Sequence, residues 1–111
     1  MIHKMRLQNQ PFLSIKMGEK RVELRLFDEK RSLIKEGGMV EFTNINTGET
    51  LLCQAVKIRV FPNFEKLYKA YGKTELGYRQ DEIADPNDML AYYTREDIAR
   101  YGVVAIEIQL Q

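Results

Sequence analysis

The sequence predicts an α+β fold, and three observations predict it. Residues 39–43, 49–61 and 103–110 place apolar side chains at alternate positions, the period of a strand with one buried face. Phe64, Leu67, Tyr68 and Tyr71 recur at i, i+3, i+4 and i+7, the stripe of an amphipathic helix. Shorter segments between them carry helix-start and helix-stop residues, so about five strands are expected with helices interspersed.

Taken in order, residues 3–7 alternate weakly, Met5 and Leu7 against Lys4 and Arg6, and are expected to open the fold as a short strand. Asn9 is the expected N-cap of a first helix, with Pro11 in its first turn and Phe12, Leu13 and Ile15 available for packing. Gly18 ends that helix in a left-handed conformation and lets the chain reverse sharply. In the strand that follows, Val22, Leu24 and Leu26 face a core while Arg21, Glu23 and Arg25 face the other way. Lys20 stands at the junction.

A single helical turn is expected at 32–35, ended by Gly37 and Gly38. The strand 39–43 buries Val40 and Phe42, and the loop 44–48, with its Asn and Gly residues, suits a hairpin. In the strand 49–61, Leu52, Val56, Ile58 and Val60 are read as inward, with Cys53 on the opposite face between Leu51 and Ala55. Asn63 caps the helix of the apolar stripe, which stops at Gly72. Residues 73–85, containing Gly77 and Tyr78, show little periodicity and form a long irregular excursion, a length often tied to function. A short helix over 86–93 precedes a second one capped by Thr94, with Asp97 three residues on and Ile98 and Tyr101 inward. The last strand carries Val104, Ile106, Ile108 and Leu110 on one side.

Composition narrows the function classes. With 111 residues, 44% of them hydrophobic and 30% charged, the chain reads as one ordinary globular domain over 1–111. No run reaches the ~18 apolar residues of a membrane span, and no basic-then-apolar leader opens it, so a cytoplasmic protein without membrane association is expected. Cys53 is alone, which excludes an intramolecular disulfide and suits a reducing compartment. It reads as a small packing residue. One Cys and one His cannot supply a zinc site, so neither a metal nor another cofactor is expected. Charge is uneven: residues 1–35 hold nine Lys or Arg and four acids, a net +5 within a total of +1, leaving −4 for the remainder. The pI of 7.8 argues against tight, non-specific duplex binding, while the basic third leaves room for a focused anion site.

No P-loop, GxGxxG, H-E-x-x-H or local Ser/His/Asp signature is present. What the chain does carry is Gly18, Lys20, Glu23 and Arg25 at the spacing G-x-K-x-x-E-x-R. A carboxylate bracketed by cations on one strand face suits an anion or a base edge; a solvated face with cross-strand ion pairs is the plainer reading of the spacing alone.

That pattern resembles the signature of the ASCH domain, a small member of the PUA-like superfamily. The segment 3–7, Pro11-Phe12, Lys30-Arg31, residues 61–64, Asp88-Met89 with Tyr92-Tyr93, and residues 101–104 are similar to a bacterial single-domain subgroup of that family. The resemblance implies a small, partly open mixed β-barrel with short helices around one mouth. It also implies recognition of RNA or of a nucleotide-like ligand in a groove built on Lys20, Glu23 and Arg25, extended by Lys30, Arg31 and an aromatic, Tyr92 or Tyr93. Glu23 would accept from a base amino group, Arg25 would fork onto phosphate or a carbonyl, and Tyr92 would stack.

Two alternatives accompany this reading. One branch of the family hydrolyses N4-acylated cytosines with a lysine base and a threonine nucleophile, and ribonuclease activity belongs to another. Here Lys20 matches the lysine, but Glu23 stands where that branch carries threonine; a carboxylate cannot take the place of an ester-forming hydroxyl, and its activating water instead would be a different mechanism. Lys20 and Glu23 are the catalytic candidates if the chain is an enzyme. The other alternative is a protein-interaction module in which the signature only holds the barrel together. His3 is the single histidine; it is a candidate acid or base beside the first strand, and a surface or packing role is the simpler expectation. The oligomeric state is not legible in these residues.

Overall fold

Alternating burial along the strands organises the molecule. The computed structural model describes residues 2–111. It contains five strands in one sheet, β1 (Ile2–Leu7), β2 (Val22–Leu26), β3 (Met39–Asn44), β4 (Thr50–Phe61) and β5 (Val103–Leu110), ordered β1-β3-β4-β5-β2. β1 runs parallel to β3 and the other neighbours are antiparallel. The sheet curls into a half-barrel with short helices, the α+β architecture expected.

The concave side is filled by Met5 and Leu7 of β1, Val40 and Phe42 of β3, Cys53 and Ala55 of β4, and Val104, Ile106 and Ile108 of β5. Helix α1 (Asn9–Lys16) closes it with Phe12 and Ile15. A second cluster forms on the opposite side, where Val22, Leu24 and Leu26 meet Val103 and Ala105 under Phe64 and Leu67 of helix α2 (Phe64–Ala70) and Leu76. β5 is therefore covered on both faces, which explains its nearly unbroken apolar run. Leu110, expected inward, lies half-exposed at its end.

The long strand β4 departs from the expected alternation. Cys53 and Ala55 are fully buried, whereas Leu52 and Val56 are 38% and 42% exposed. The cause is a bulge: Ala55 pairs with Ile108 and Lys57 with the very next residue, Glu107, so Val56 is an extra residue. One added residue in a period-two element exchanges the faces. Odd positions point inward before the bulge and even ones after it, so Ile58 packs against the core as expected, while Val60 lies exposed on Val104's face. Burial pushes the Cys53 thiol up to about 11, which fits an inert packing residue.

Helix ends follow the local chemistry with one correction. Asn9 does not cap α1. It is the first helical residue, its amide donating to Asn46 Oδ1 at 3.0 Å and its Oδ1 accepting from Asn44 Nδ2 at 2.9 Å, so its polar groups tie α1 to the β3–β4 hairpin. At the other end Gly18 has φ +81°, and Gly18 and Glu19 donate to Ile15 O and Ser14 O, each at 3.0 Å. This reciprocal pair is the Schellman closure, and it aims the chain straight into β2. Asn63 Oδ1 caps α2 by accepting from the Lys66 amide at 2.9 Å. Thr94 caps helix α3 (Arg95–Tyr101) by accepting from the Asp97 amide at 3.1 Å. Short 3₁₀ turns occupy Arg31–Leu33 and Pro86–Ala91.

The excursion 73–85 is pinned to β2 near its start and tied to itself by Lys73. Glu75 O accepts from the Arg21 and Val22 amides at 2.9 and 3.0 Å, and Lys73 Nζ donates to Gln80 O and Glu82 O. No helix among the described residues is long and apolar enough to cross a membrane. No group of three or more His, Cys, Asp or Glu side chains among them could hold a metal ion.

Candidate functional site

β1 and β2 are the two ends of the sheet order, so each presents an unpaired edge. Curling brings those edges to face one another, and Arg25 spans the gap: its Nη2 donates to Arg6 O of β1 at 2.9 Å. Glu23 and Arg25 pair in register with Ile106 and Val104, both concave-side residues, so their side chains point into the half-barrel rather than out to solvent.

Glu23 is 3% exposed and satisfied on both oxygens. Oε2 accepts from Arg25 Nε at 3.0 Å and Nη2 at 2.8 Å; Oε1 accepts from the Leu24 amide at 3.2 Å and lies 3.1 Å from Lys20 Nζ. Burial by itself would raise the Glu23 carboxyl, but the charges and hydrogen bonds of Lys20 and Arg25 outweigh it and hold the carboxyl below its ordinary value. Arg25 also loses solvation, and the facing Glu23 carboxylate more than offsets that, raising its affinity for its proton. The result is a compact Lys20–Glu23–Arg25 ion triad.

A cleft of about 670 Å³ opens along this edge of β2, within the range typical of small-ligand sites. Its cationic wall is Lys20, Arg25 and Arg6, with Gln8, Gln10 and Pro11 from the start of α1. The remaining lining comes from α2, the excursion and the Pro86–Ala91 turn: Tyr68, Gly77, Tyr78, Glu82, Asp88 and Met89. Tyr92 and Tyr93 line the cleft as well. Tyr92 is 64% exposed, whereas Tyr93 is half-buried with its ring stacked on Phe64 at 6.0 Å. Burial raises the Tyr93 phenol, with Arg25 acting in the opposite sense.

Gly77 places the excursion hard against the triad. Its φ is +102°, and a Cβ there would sit 3.0 Å from Lys20 Cδ. Gly77→Ala is expected to cost about 1–3 kcal/mol through backbone strain and to push the Lys20 stem off Glu23. Denaturant unfolding checks the first effect; ligand affinity, once a ligand is in hand, checks the second.

The predicted site residues thus divide. Lys20, Glu23, Arg25 and Tyr92 share the cleft; Lys30 and Arg31 do not line it. Arg31 pairs with Asp28 at 3.2 Å, and the two cations lie near His3, which burial, Arg31 and Lys30 together hold below its ordinary value. His3 Nε2 and Arg31 Nε are buried without a hydrogen-bond partner among the described residues. His3 is outside the cleft as well.

Sequence reasoning missed the wall formed by Tyr68, Tyr78 and Asp88. Tyr78 Oη donates to Asp88 Oδ2 at 2.8 Å and lies 2.9 Å from Tyr68 Oη. Burial is the main force raising both phenols. The available signals are Gly77-Tyr78 inside an aperiodic excursion and Asp88-Met89 among the segments similar to the family subgroup; Tyr68 is hidden within the helical apolar stripe.

A curled five-stranded sheet with short helices is the architecture of a PUA-like ASCH domain. The ASCH domain profile matches residues 5–111, so the chain belongs to the ASCH domain family. Two solved structures are similar over essentially full length. The crystal structure of hypothetical protein PH0355 is 31% identical with a TM-score of 0.84, covering 100% of both chains. The solution structure of protein PF0455 from Pyrococcus furiosus is 32% identical with a TM-score of 0.71, covering 99% of this chain and 97% of that one. No curated protein matches the chain.

Proposed function

We propose that the cleft binds RNA or a nucleotide-like ligand, with Lys20 and Arg25 contacting it and Glu23 holding those two cations in position. The observation that carries the reading is the triad itself: two cations stripped of most of their water are held by one carboxylate at the wall of a ligand-sized cleft. Arg25 Nη1 has no hydrogen-bond partner among the described residues, and Lys20 Nζ has donors beyond its Glu23 contact, so both can still address a phosphate or carbonyl. Partial exclusion of water strengthens each such contact. Tyr92 offers an exposed ring for stacking. Membership of a family within the generally RNA-binding-like PUA superfamily supports the same reading.

The hydrolytic alternative asks Glu23 to act on a substrate or a water. Both its oxygens are occupied and its carboxyl is held ionised, which supports a holding role instead.

The test is a fluorescence titration of single-stranded and structured RNA at two salt concentrations. Wild type is expected to bind with a salt-dependent affinity. Lys20→Ala should lower the salt slope by about 0.7 for each phosphate of a single strand that is no longer neutralised. Arg25→Lys, which keeps the charge but not the fork, should weaken binding without unfolding the protein. Absence of binding by wild type, or variants that bind as wild type does, would overturn the assignment.

A further inference from the structure

Tyr68, Tyr78 and Asp88 line the cleft with the cations and have a hydrogen-bond polarity that their own geometry dictates. Tyr78 has one hydroxyl proton, and it is given to Asp88 Oδ2 at 2.8 Å, with Asp85 O at 3.3 Å as a second, weaker acceptor. Neither of those oxygens has a proton to give back. In the 2.9 Å contact between the two phenols, Tyr68 must then be the donor. The proton of each phenol is consumed within the chain Tyr68–Tyr78–Asp88. What these lining residues have left to offer a ligand is acceptor capacity only: lone pairs on Tyr68 Oη and the second carboxylate oxygen of Asp88.

The cleft is therefore lined by two kinds of group, donors from Lys20 and Arg25 and acceptors from Tyr68 and Asp88. An extended polyanion threading the cleft would lay phosphates against Asp88 and Glu82, at a repulsive cost. A single nucleotide entering end-on would not: its phosphate would meet the cations, and its base edge would meet the acceptors.

We propose that the Tyr68–Tyr78–Asp88 chain is a base-reading wall, which selects a nucleotide whose base carries an exocyclic amine. The amine donates to Asp88 and Tyr68, while an edge that presents only acceptors would face lone pairs with lone pairs. An acceptor that the wrong ligand desolvates but leaves unpaired is what makes such discrimination large. This inference rests on the cleft being a nucleotide site, as proposed above.

The experiment compares AMP with purine riboside 5′-monophosphate, which replaces the amine by hydrogen and leaves the ring nitrogens unchanged. Binding is measured by calorimetry on wild type, Asp88→Ala and Tyr68→Phe. Asp88 is exposed and Tyr68→Phe keeps the ring, so both variants are expected to fold, with circular dichroism as the check. Wild type should favour AMP by about tenfold or more, the ratio that one missing hydrogen bond to a charged group produces. In Asp88→Ala the ratio should fall towards one, because AMP loses its acceptor and the purine riboside analogue no longer leaves a desolvated carboxylate unpaired.

Equal binding of the two nucleotides by wild type would overturn the base-reading wall while leaving the cleft's nucleic-acid role standing. So would a preference for AMP that survives both substitutions. Binding of RNA without measurable binding of either mononucleotide would also overturn it. If wild type binds neither RNA nor nucleotide, the underlying cleft assignment fails, and this inference with it.

Discussion

Replacing Glu23 with alanine is expected to destabilise the fold by about 3–5 kcal/mol, the usual result of breaking a buried ion pair from one side. Lys20 and Arg25 side chains are only 10% and 15% exposed, so removing the carboxylate leaves two poorly solvated cations facing each other. Volume is a minor part of this loss. Glu23→Gln keeps the shape and should cost nearly as much, because what vanishes is charge. A Gln variant close to wild type in a urea titration would mean that packing, and not the ion triad, holds the seam between β1 and β2.

The same carboxylate sets an acid limit. Its folded value lies below the ordinary 4.5, so in the window beneath 4.5 the unfolded chain binds more protons than the folded one. Glu23's contribution is thus complete above about 4.5 and is lost as pH falls through its folded value. Stability should rise with pH across that window in wild type, and the slope should flatten in Glu23→Gln. A slope identical in the two proteins would remove Glu23 from the acid transition.

Phe12→Ala is expected to cost a similar 3–5 kcal/mol, by the transfer and cavity terms of a large core side chain. Phe12 is fully buried and belongs to the concave core with Leu7 and Phe42. It also fixes α1, whose first turn supplies Gln8, Gln10 and Pro11 to the cleft. The predicted signature is a lowered urea midpoint with an unchanged m-value, together with weaker ligand binding under conditions where the variant is still folded. A loss below about 1.5 kcal/mol would show that the core collapses around the gap and that α1 is held chiefly by its Asn9–Asn44 hydrogen bond.

Local rules make much of this molecule legible. Gly18, Asn63 and Thr94 do at helix ends what their conformational freedom and side-chain acceptors allow, and those effects operate within a few residues. The β2 alternation places Val22, Leu24 and Leu26 on one side and Glu23 and Arg25 on the other, as expected. Asn9 escapes such rules because its best partner, Asn44, lies 35 residues away, beyond the reach of any capping preference. β4 escapes them because one unpaired residue, Val56, exchanges the faces of a period-two element without a proline or glycine to mark it.

By itself, then, the sequence determined the element types, the helix stops, the one signature strand and its two-sided character, since each is written in spacings of a few residues. Only the tertiary structure decided that β2's charged side points inward, that Arg25 joins it to β1, and that Lys30, Arg31 and His3 lie elsewhere. Only it brought Tyr68, Tyr78 and Asp88 into one hydrogen-bonded chain. Those outcomes depend on how a curled sheet closes and on where a long excursion is pinned, and chain periodicity carries no trace of either.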